Sequence, residues 1–361
     1  MKKGNVLIMA GGTGGHVIPA LSVAKQLKVK GYQVHWLGSV QGIENDLVVD
    51  AGYPLHRISI SGLRGKGAVK KLLAPFQLLK ALWQTFRVFL ALKPKIAIGM
   101  GGFASGPGGL MSLLLRTPLV IHEQNAIPGL TNKTLSSKAT FLLQAFDGTF
   151  PSRPSLKTVG NPVRQSIVDM PAPEERLVGR SGDLNVLVVG GSLGAVAIND
   201  VLIEAANELT TAGIQLWHQV GKRNYESVKL GYRNQGCGHI KVSDFIGNMA
   251  DAYSWADVVV CRAGALTVSE LMAAGVASIL VPYPFAVDDH QTENAKFLVN
   301  GSAGLLVPQA EFNKEKLVEM LQMFKADRDK VLSMSKSARA LAKPDAAKTV
   351  THYCVEAIHG R

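Results

Sequence analysis

One unit constrains this chain more than any other, and it appears near the start of each half. Val6 to Gly15 and Val186 to Gly194 each read as an apolar strand that runs into a glycine loop and then a helix. A short apolar run rich in β-branched residues is the signature of a parallel strand buried on both faces. Parallel neighbours require a crossover, and a helix is the usual one. Two such openings in 361 residues predict an α/β chain of two Rossmann-like domains, each of ordinary size.

A third stretch, Ala256 to Pro284, follows the same logic. Val258-Val259-Val260 is a buried strand, Arg262-Ala263-Gly264-Ala265 a turn, and Leu266 to Ala274 a helix stopped by Gly275. A second strand, Ser278 to Val281, ends at Pro282. A turn of this kind aims the bare N–H groups and positive end of a helix at whatever lies above the sheet, and phosphate is the favoured guest. Thr267 and Glu270 stand three apart and admit two readings. They form a capping box, the commoner outcome, or Glu270 accepts hydrogen bonds from the vicinal hydroxyls of a ribose.

The first half carries further candidates. Gly11 to Gly15 surround Thr13 and depart from both G-x-G-x-x-G and the P-loop ending, so a nicotinamide dehydrogenase is disfavoured. Helix is expected from about Pro19 to Lys28, with His16 at the mouth of the sheet, either structural or a base that titrates near neutrality. Ile96 to Ile98 leads to a second glycine loop, Gly99 to Gly109, and Leu119 to Ile121 delivers His122-Glu123-Gln124-Asn125 at a strand's C-terminal end, where ligands of open α/β sheets bind. Gly160-Asn161-Pro162-Val163-Arg164 reads as a linker, with Arg164 either solvated or reaching a phosphate. Asp288-Asp289 is read as a helix cap rather than a metal site.

Charge is uneven. Residues 1–163 hold 19 Lys and Arg against 5 Asp and Glu, and residues 164–361 hold 20 against 22, so the first half carries the whole excess of +12. No acid lies between Asp50 and Glu123. Such a field implies an anionic partner of that half. Within it, Leu72, Phe76, Leu79, Trp83, Phe86 and Leu90 recur at helical spacing beside Gln77, Lys80, Gln84 and Arg87. The helix either packs this stripe on the core or seats it in a membrane interface, with Arg64, Lys66, Lys70 and Lys71 meeting lipid phosphates. No apolar run is long enough and uncharged enough to span a bilayer, Met1-Lys2-Lys3 enters a strand directly, and Cys237, Cys261 and Cys354 lack metal or disulfide spacing.

Taken together, the motifs resemble glycosyltransferase family 28 along the whole chain. They are AGGTGGHV at Ala10–Val17, ISGLRGKG at Ile60–Gly67, GMGGFASGPGG at Gly99–Gly109, HEQN at His122–Asn125, GNPVR, VVGGSLGA and CRAGALTVSE. The resemblance implies a glycosyltransferase B fold, two Rossmann-like domains facing across a cleft. Residues 1–163 would be the acceptor and membrane-facing domain, with a final helix at 345–361 packed back on it, and 164–344 the UDP-sugar domain. It implies inverting transfer of N-acetylglucosamine from UDP-N-acetylglucosamine to the undecaprenyl-diphosphate-linked N-acetylmuramoyl-pentapeptide (lipid I), giving lipid II for peptidoglycan, cell shape and division. No cofactor, metal or nucleic acid is implied. Partners would be the two substrates, the anionic inner leaflet and other cell-wall synthesis proteins, with a peripheral location on the cytoplasmic face of the cell membrane.

By matching position, Arg164 and Ser192 would serve the diphosphate and Ile246 the uracil. Ala265, Leu266, Thr267, Val268, Ser269 and Glu270 would hold phosphate and ribose, and Gln291 and Asn294 the sugar. Thr13, Gly14, Gly15 and Asn125 would line the donor from the first domain. His16 is the first candidate base, with Glu123 and His122 behind it. Members often carry glutamine where this chain has Leu193, which leaves contacts near the sugar open. A nucleotide-sugar epimerase could share the fold but has no use for a basic amphipathic helix. A non-catalytic nucleotide-sugar sensor would keep Glu270 and the helix without turnover.

Overall fold

The computed structural model describes residues 3–61, 74–191 and 194–360. The chain divides into two compact units, 1–164 with 343–361, and 165–342. Arg164 therefore closes the first unit instead of opening the second.

The first unit is built on seven parallel strands: β1 (Asn5–Met9), β2 (Gln33–Ser39), β3 (Leu55–Ile58), β4 (Ile96–Gly99), β5 (Leu119–Glu123), β6 (Phe141–Gln144) and β7 (Leu156–Thr158), in the order β3-β2-β1-β4-β5-β6-β7. In β1, Val6 and Ile8 pack on one face of the sheet and Leu7 and Met9 on the other, which is why the strand is apolar throughout. The last helix, Ala346–His359, packs against the helix Gly14–Val29 and places Val350, Cys354 and Ala357 in the same core as Val6 and Ile8.

The second unit holds six parallel strands: β8 (Leu184–Val189), β9 (Ile214–Gln219), β10 (Lys241–Ser243), β11 (Val258–Cys261), β12 (Ala277–Leu280) and β13 (Gly304–Leu306), in the order β10-β9-β8-β11-β12-β13. In both sheets the strand order reverses beside the first strand, between β1 and β4 and between β8 and β11. Crevices of this kind are where doubly wound sheets receive ligands. The loops after β1, β4, β8 and β11 are the ones the sequence fills with glycine or a tight turn.

Three expectations need correction. The first helix begins at Gly14, not near Pro19. Gly14 and Gly15 form its opening positions, where N–H groups have no intrahelical partner in any case, and Pro19 is accommodated in the next turn. The helix after β11 begins at Ala265, with Gly264 at its N-cap. Thr267 thus lies inside the first turn and cannot cap, so no Thr267–Glu270 capping box exists. Asp289 does occupy the N-cap of His290–Asn300, but its carboxylate makes no cap bond and instead accepts from the Thr292 hydroxyl at 2.7 Å. Asp288 and Asp289 have φ of 53° and 51°, a left-handed pair that Asp tolerates better than most residues.

The amphipathic helix spans Ala74–Leu92, and its apolar stripe does not face the core. Ala81, Thr85 and Phe89 are the buried positions, while Phe76, Leu79 and Trp83 are 70%, 63% and 58% exposed and Leu90 is exposed as well. Gln84, from the polar stripe, turns inward and accepts from the backbone N–H of Ser59 at 2.7 Å. Arg64, Lys66, Lys70, Lys71 and Leu72 lie outside the described residues.

This burial predicts an inverted mutational pattern. Phe89→Ala should destabilise the first unit by about 3 kcal/mol, the cost of emptying a buried aromatic site. Leu79→Glu should change stability by no more than about 0.5 kcal/mol. Urea unfolding of the two variants checks this, and a larger loss for Leu79→Glu would restore the core-facing reading.

Candidate active site

In the first unit two glycine loops interlock above the switch point. A Cβ on Gly102 would collide with the Gly11 backbone, and one on Gly101 would collide with the His16 imidazole. Both glycines also have positive φ, 92° at Gly101 and 86° at Gly102, so no side chain could take their place without moving its neighbours. His16 is half-buried in the first turn of its helix. Its Nδ1 lies 3.2 Å from the Gly11 carbonyl oxygen and 3.3 Å from Thr13 Oγ1. A carbonyl can only accept, so Nδ1 carries the proton and Nε2 the lone pair, which makes Nε2 the basic nitrogen.

The loop after β1 is held from below by a residue the sequence reading passed over. Glu44 is fully buried and accepts from the N–H of Gly12 at 2.9 Å, the N–H of Ser39 at 2.9 Å and the Ser39 hydroxyl at 2.7 Å. Gly11, Gly38 and Gly42 crowd round the Glu44 side chain: a Cβ on Gly11 or Gly42 would strike its carboxylate, and one on Gly38 its Cγ. A glutamate in the pattern Gly-x-Glu just past a strand's end carries no local signal for such a role. Only the fold brings Gly11 and Gly12 to it.

The run at the end of β5 divides its work. His122 is fully buried, its Nε2 donates to the Gly160 carbonyl at 2.9 Å, and burial pushes its pKa below the ordinary histidine range. Glu123 is also buried and accepts four hydrogen bonds, from Asn125 N, Asn125 Nδ2, Gly129 N and Asn132 Nδ2. Gln124 donates to the Met100 carbonyl at 2.8 Å and so ties β5 to the second glycine loop. Asn125 is half-buried on the loop that Glu123 organises. His122 and Glu123 are thus buried and engaged by the protein's own groups, whereas His16 is half-buried.

In the second unit the turn after β11 presents the N-terminus of Ala265–Ala274. Its neighbours brace it. Arg262 donates to the carbonyls of Val281 and Pro282 and to Gln309 Oε1, and Gln291 Oε1 accepts from the N–H groups of Ala263 and Tyr283. Asn294 is fully buried and donates to the Ala263 carbonyl. Of the two residues matched to the sugar, Asn294 thus shapes the turn, while Gln291 is half-buried beside it. Leu266 and Thr267 are half-buried, Val268 is in the core, and the Ser269 hydroxyl bonds back to the Ala265 carbonyl. Glu270 is 6% exposed and accepts from the Tyr253 hydroxyl at 3.1 Å, which orients its carboxylate. Ile246 is buried behind the exposed Phe245, and Ser192 and Leu193 lie outside the described residues.

Two family models match the chain, the glycosyltransferase family 28 N-terminal domain over residues 6–144 and the C-terminal domain over 185–350. The chain belongs to glycosyltransferase family 28. A family 28 relative from Marinobacter nauticus, named UDP-N-acetylglucosamine–N-acetylmuramyl-(pentapeptide) pyrophosphoryl-undecaprenol N-acetylglucosamine transferase, is 50% identical over 355 residues, 98% of each chain. One of the same name from Coxiella burnetii is 47% identical over 350 residues, 97% of each. The crystal structure of Acinetobacter baumannii MurG superposes with a TM-score of 0.84 at 41% identity, covering 98% of this chain and 99% of that one. Two parallel-sheet α/β domains of the glycosyltransferase B fold are therefore established. A UDP-N-acetylglucosamine 2-epimerase reaches a TM-score of 0.70 at 13% identity, covering 100% and 98%, and shares the fold alone. The fold does not separate a family 28 transferase from an epimerase; the identity with the named transferases does.

Replacing Glu44 by Gln keeps the shape but turns one acceptor oxygen into a donor facing an N–H. The loss should be about 1–3 kcal/mol of stability in the first unit, with faster amide exchange at Gly12. Unchanged exchange at Gly12 would mean that Glu44 does not hold the loop.

Proposed function

We propose that this chain is the inverting N-acetylglucosaminyltransferase that moves N-acetylglucosamine from UDP-N-acetylglucosamine to the lipid-linked N-acetylmuramoyl-pentapeptide. The reading is carried by identity of about half the residues, over nearly the whole chain, with relatives bearing that name. The site chemistry supports it. The N-terminal turn and dipole of the helix Ala265–Ala274 suit the leaving diphosphate, and the guanidinium of Arg164 is itself suited to a phosphate. Glu270, oriented by Tyr253, suits the ribose hydroxyls, and a carboxylate there would repel a phosphate. The backbone at Ile246 reads uracil, and Gln291 meets the sugar. His16 Nε2 takes the proton of the attacking acceptor hydroxyl while the C1–O bond to UDP breaks, and the Gly11 carbonyl steadies the imidazolium that forms.

The acceptor is anchored in a bilayer, so the enzyme works at the cytoplasmic membrane surface. No helix among the described residues is long and apolar enough to cross a membrane. The exposed stripe of Phe76, Leu79, Trp83, Phe86 and Leu90 supplies an apolar face, with Lys80 and Arg87 beside it and Arg87 stacked over Trp83 at 5.1 Å. Exposed Phe103, Leu110 and Leu114 add to the apolar surface, the two leucines on the helix Ser105–Leu114, which packs against it. Each nearby cation would contribute about 1 kcal/mol at an anionic surface, less in salt.

Purified protein given UDP-N-acetylglucosamine and the lipid acceptor should release UDP only when both are present. Release of N-acetylmannosamine products without acceptor would instead favour the epimerase. His16→Ala should lower kcat by about two to four powers of ten while UDP still binds, and near-normal turnover would remove His16 from the chemistry. The double change Leu79→Glu/Trp83→Glu should weaken binding to anionic vesicles and spare activity on a water-soluble acceptor. Vesicle binding left intact would mean that this helix is not the membrane contact.

A further inference from the structure

We infer that Gln219 is a positioning residue that couples the diphosphate loop of the second unit to its base-binding loop; the inference rests on the donor site proposed above. Gln219 is the last residue of β9, the strand between β8 and β10. β8 leads into Gly190 and Gly191, and β10 leads into Asp244, Phe245 and Ile246. A residue at the end of the middle strand therefore stands between the two loops.

Gln219 is 4% exposed, and its side chain makes three hydrogen bonds to them. The amide oxygen accepts from the N–H of Gly191 at 2.9 Å. The amide nitrogen donates to the Gly191 carbonyl at 3.1 Å and to the Asp244 carbonyl at 2.9 Å. Gly191 has φ of 80°, which lets its N–H and its carbonyl face the same planar amide. The main chain adds two ties, Gly190 N to the Gln219 carbonyl and Val220 N to the Ser243 carbonyl, both 2.9 Å. Those survive any substitution, whereas the three side-chain bonds require one acceptor and two donors in a plane. Glutamate lacks the donors and methionine lacks both, so neither isostere can replace the amide. A shift of Asp244 on meeting a nucleobase is transmitted through one rigid group to Gly191. Gln219 touches no substrate and acts through these two loops.

Amide exchange read by mass spectrometry on the segments 186–191 and 243–247 tests this, with UDP and with uridine, which has no phosphate. In the parent protein UDP should slow exchange in both segments, and uridine should also slow both, because the base loop steadies Gly191 through Gln219. In Gln219→Met and Gln219→Glu, uridine should slow exchange in 243–247 alone. KM for UDP-N-acetylglucosamine should rise about tenfold with kcat within about twofold, the size of one or two lost hydrogen bonds. If UDP leaves both segments of the parent unchanged, the donor-site reading is overturned and this inference with it. If UDP protects both but uridine only 243–247 in the parent, the coupling alone is overturned. A variant that still transmits uridine's effect, or that loses kcat with KM unchanged, also overturns it.

Discussion

The site depends on glycine loops at the switch points of the two sheets, which buried polar side chains hold in place. A glycine loop that must approach a ligand has little side-chain packing of its own, and its flexibility costs binding free energy unless something else fixes it. Each unit solves this with one buried polar side chain. Glu44 grips Gly12 in the first and Gln219 grips Gly191 in the second. The two are not equivalent in sequence, since one comes from the helix after β2 and the other from the end of β9. They occupy comparable positions because the two sheets share the same strand order at the crevice.

Much of the architecture was legible because parallel strands buried on both faces are written as continuous apolar runs. β1, β8 and β11 were visible for that reason, and the last helix, expected at 345–361, is observed at Ala346–His359. β2, β3, β6, β7 and β13 went unread. β2 mixes His35 and Gln33 with apolar residues, β3 carries His56 and Arg57 at one margin of the sheet, and β7 and β13 are three residues long, too short to show a period. The site was legible as glycine loops and strand ends but not as a hydrogen-bond network. Nothing local to Glu44, Gln219 or Tyr253 announces a partner that lies far off in sequence. The Thr267–Glu270 spacing gave the opposite error, a local pattern that the start of the helix at Ala265 dissolves.

The helix Ala74–Leu92 shows why periodicity alone cannot assign a face. Its larger apolar residues mark the exposed stripe, and the buried stripe is Ala81, Thr85 and Phe89, small enough in part to let the helix lie close on the sheet. Large exposed apolar side chains on a helix in a strongly basic half are a solubility liability, and this is the observation behind the membrane contact proposed for them. The absence of any acid between Asp50 and Glu123 points the same way, because a single carboxylate there would oppose an anionic bilayer.

The central claim is that the nucleotide's diphosphate is held by backbone N–H groups of the second unit. Amide chemical shifts of isotopically labelled protein titrated with UDP test it most directly. The expected result is the largest changes at Ala265 and Leu266, with smaller ones at Gly190 and Gly191, whose N–H groups are bonded to Gln219, and none at Gly12, Gly14 and Gly101. Changes confined to the glycine loops of the first unit, or none at Ala265 and Leu266, would contradict it.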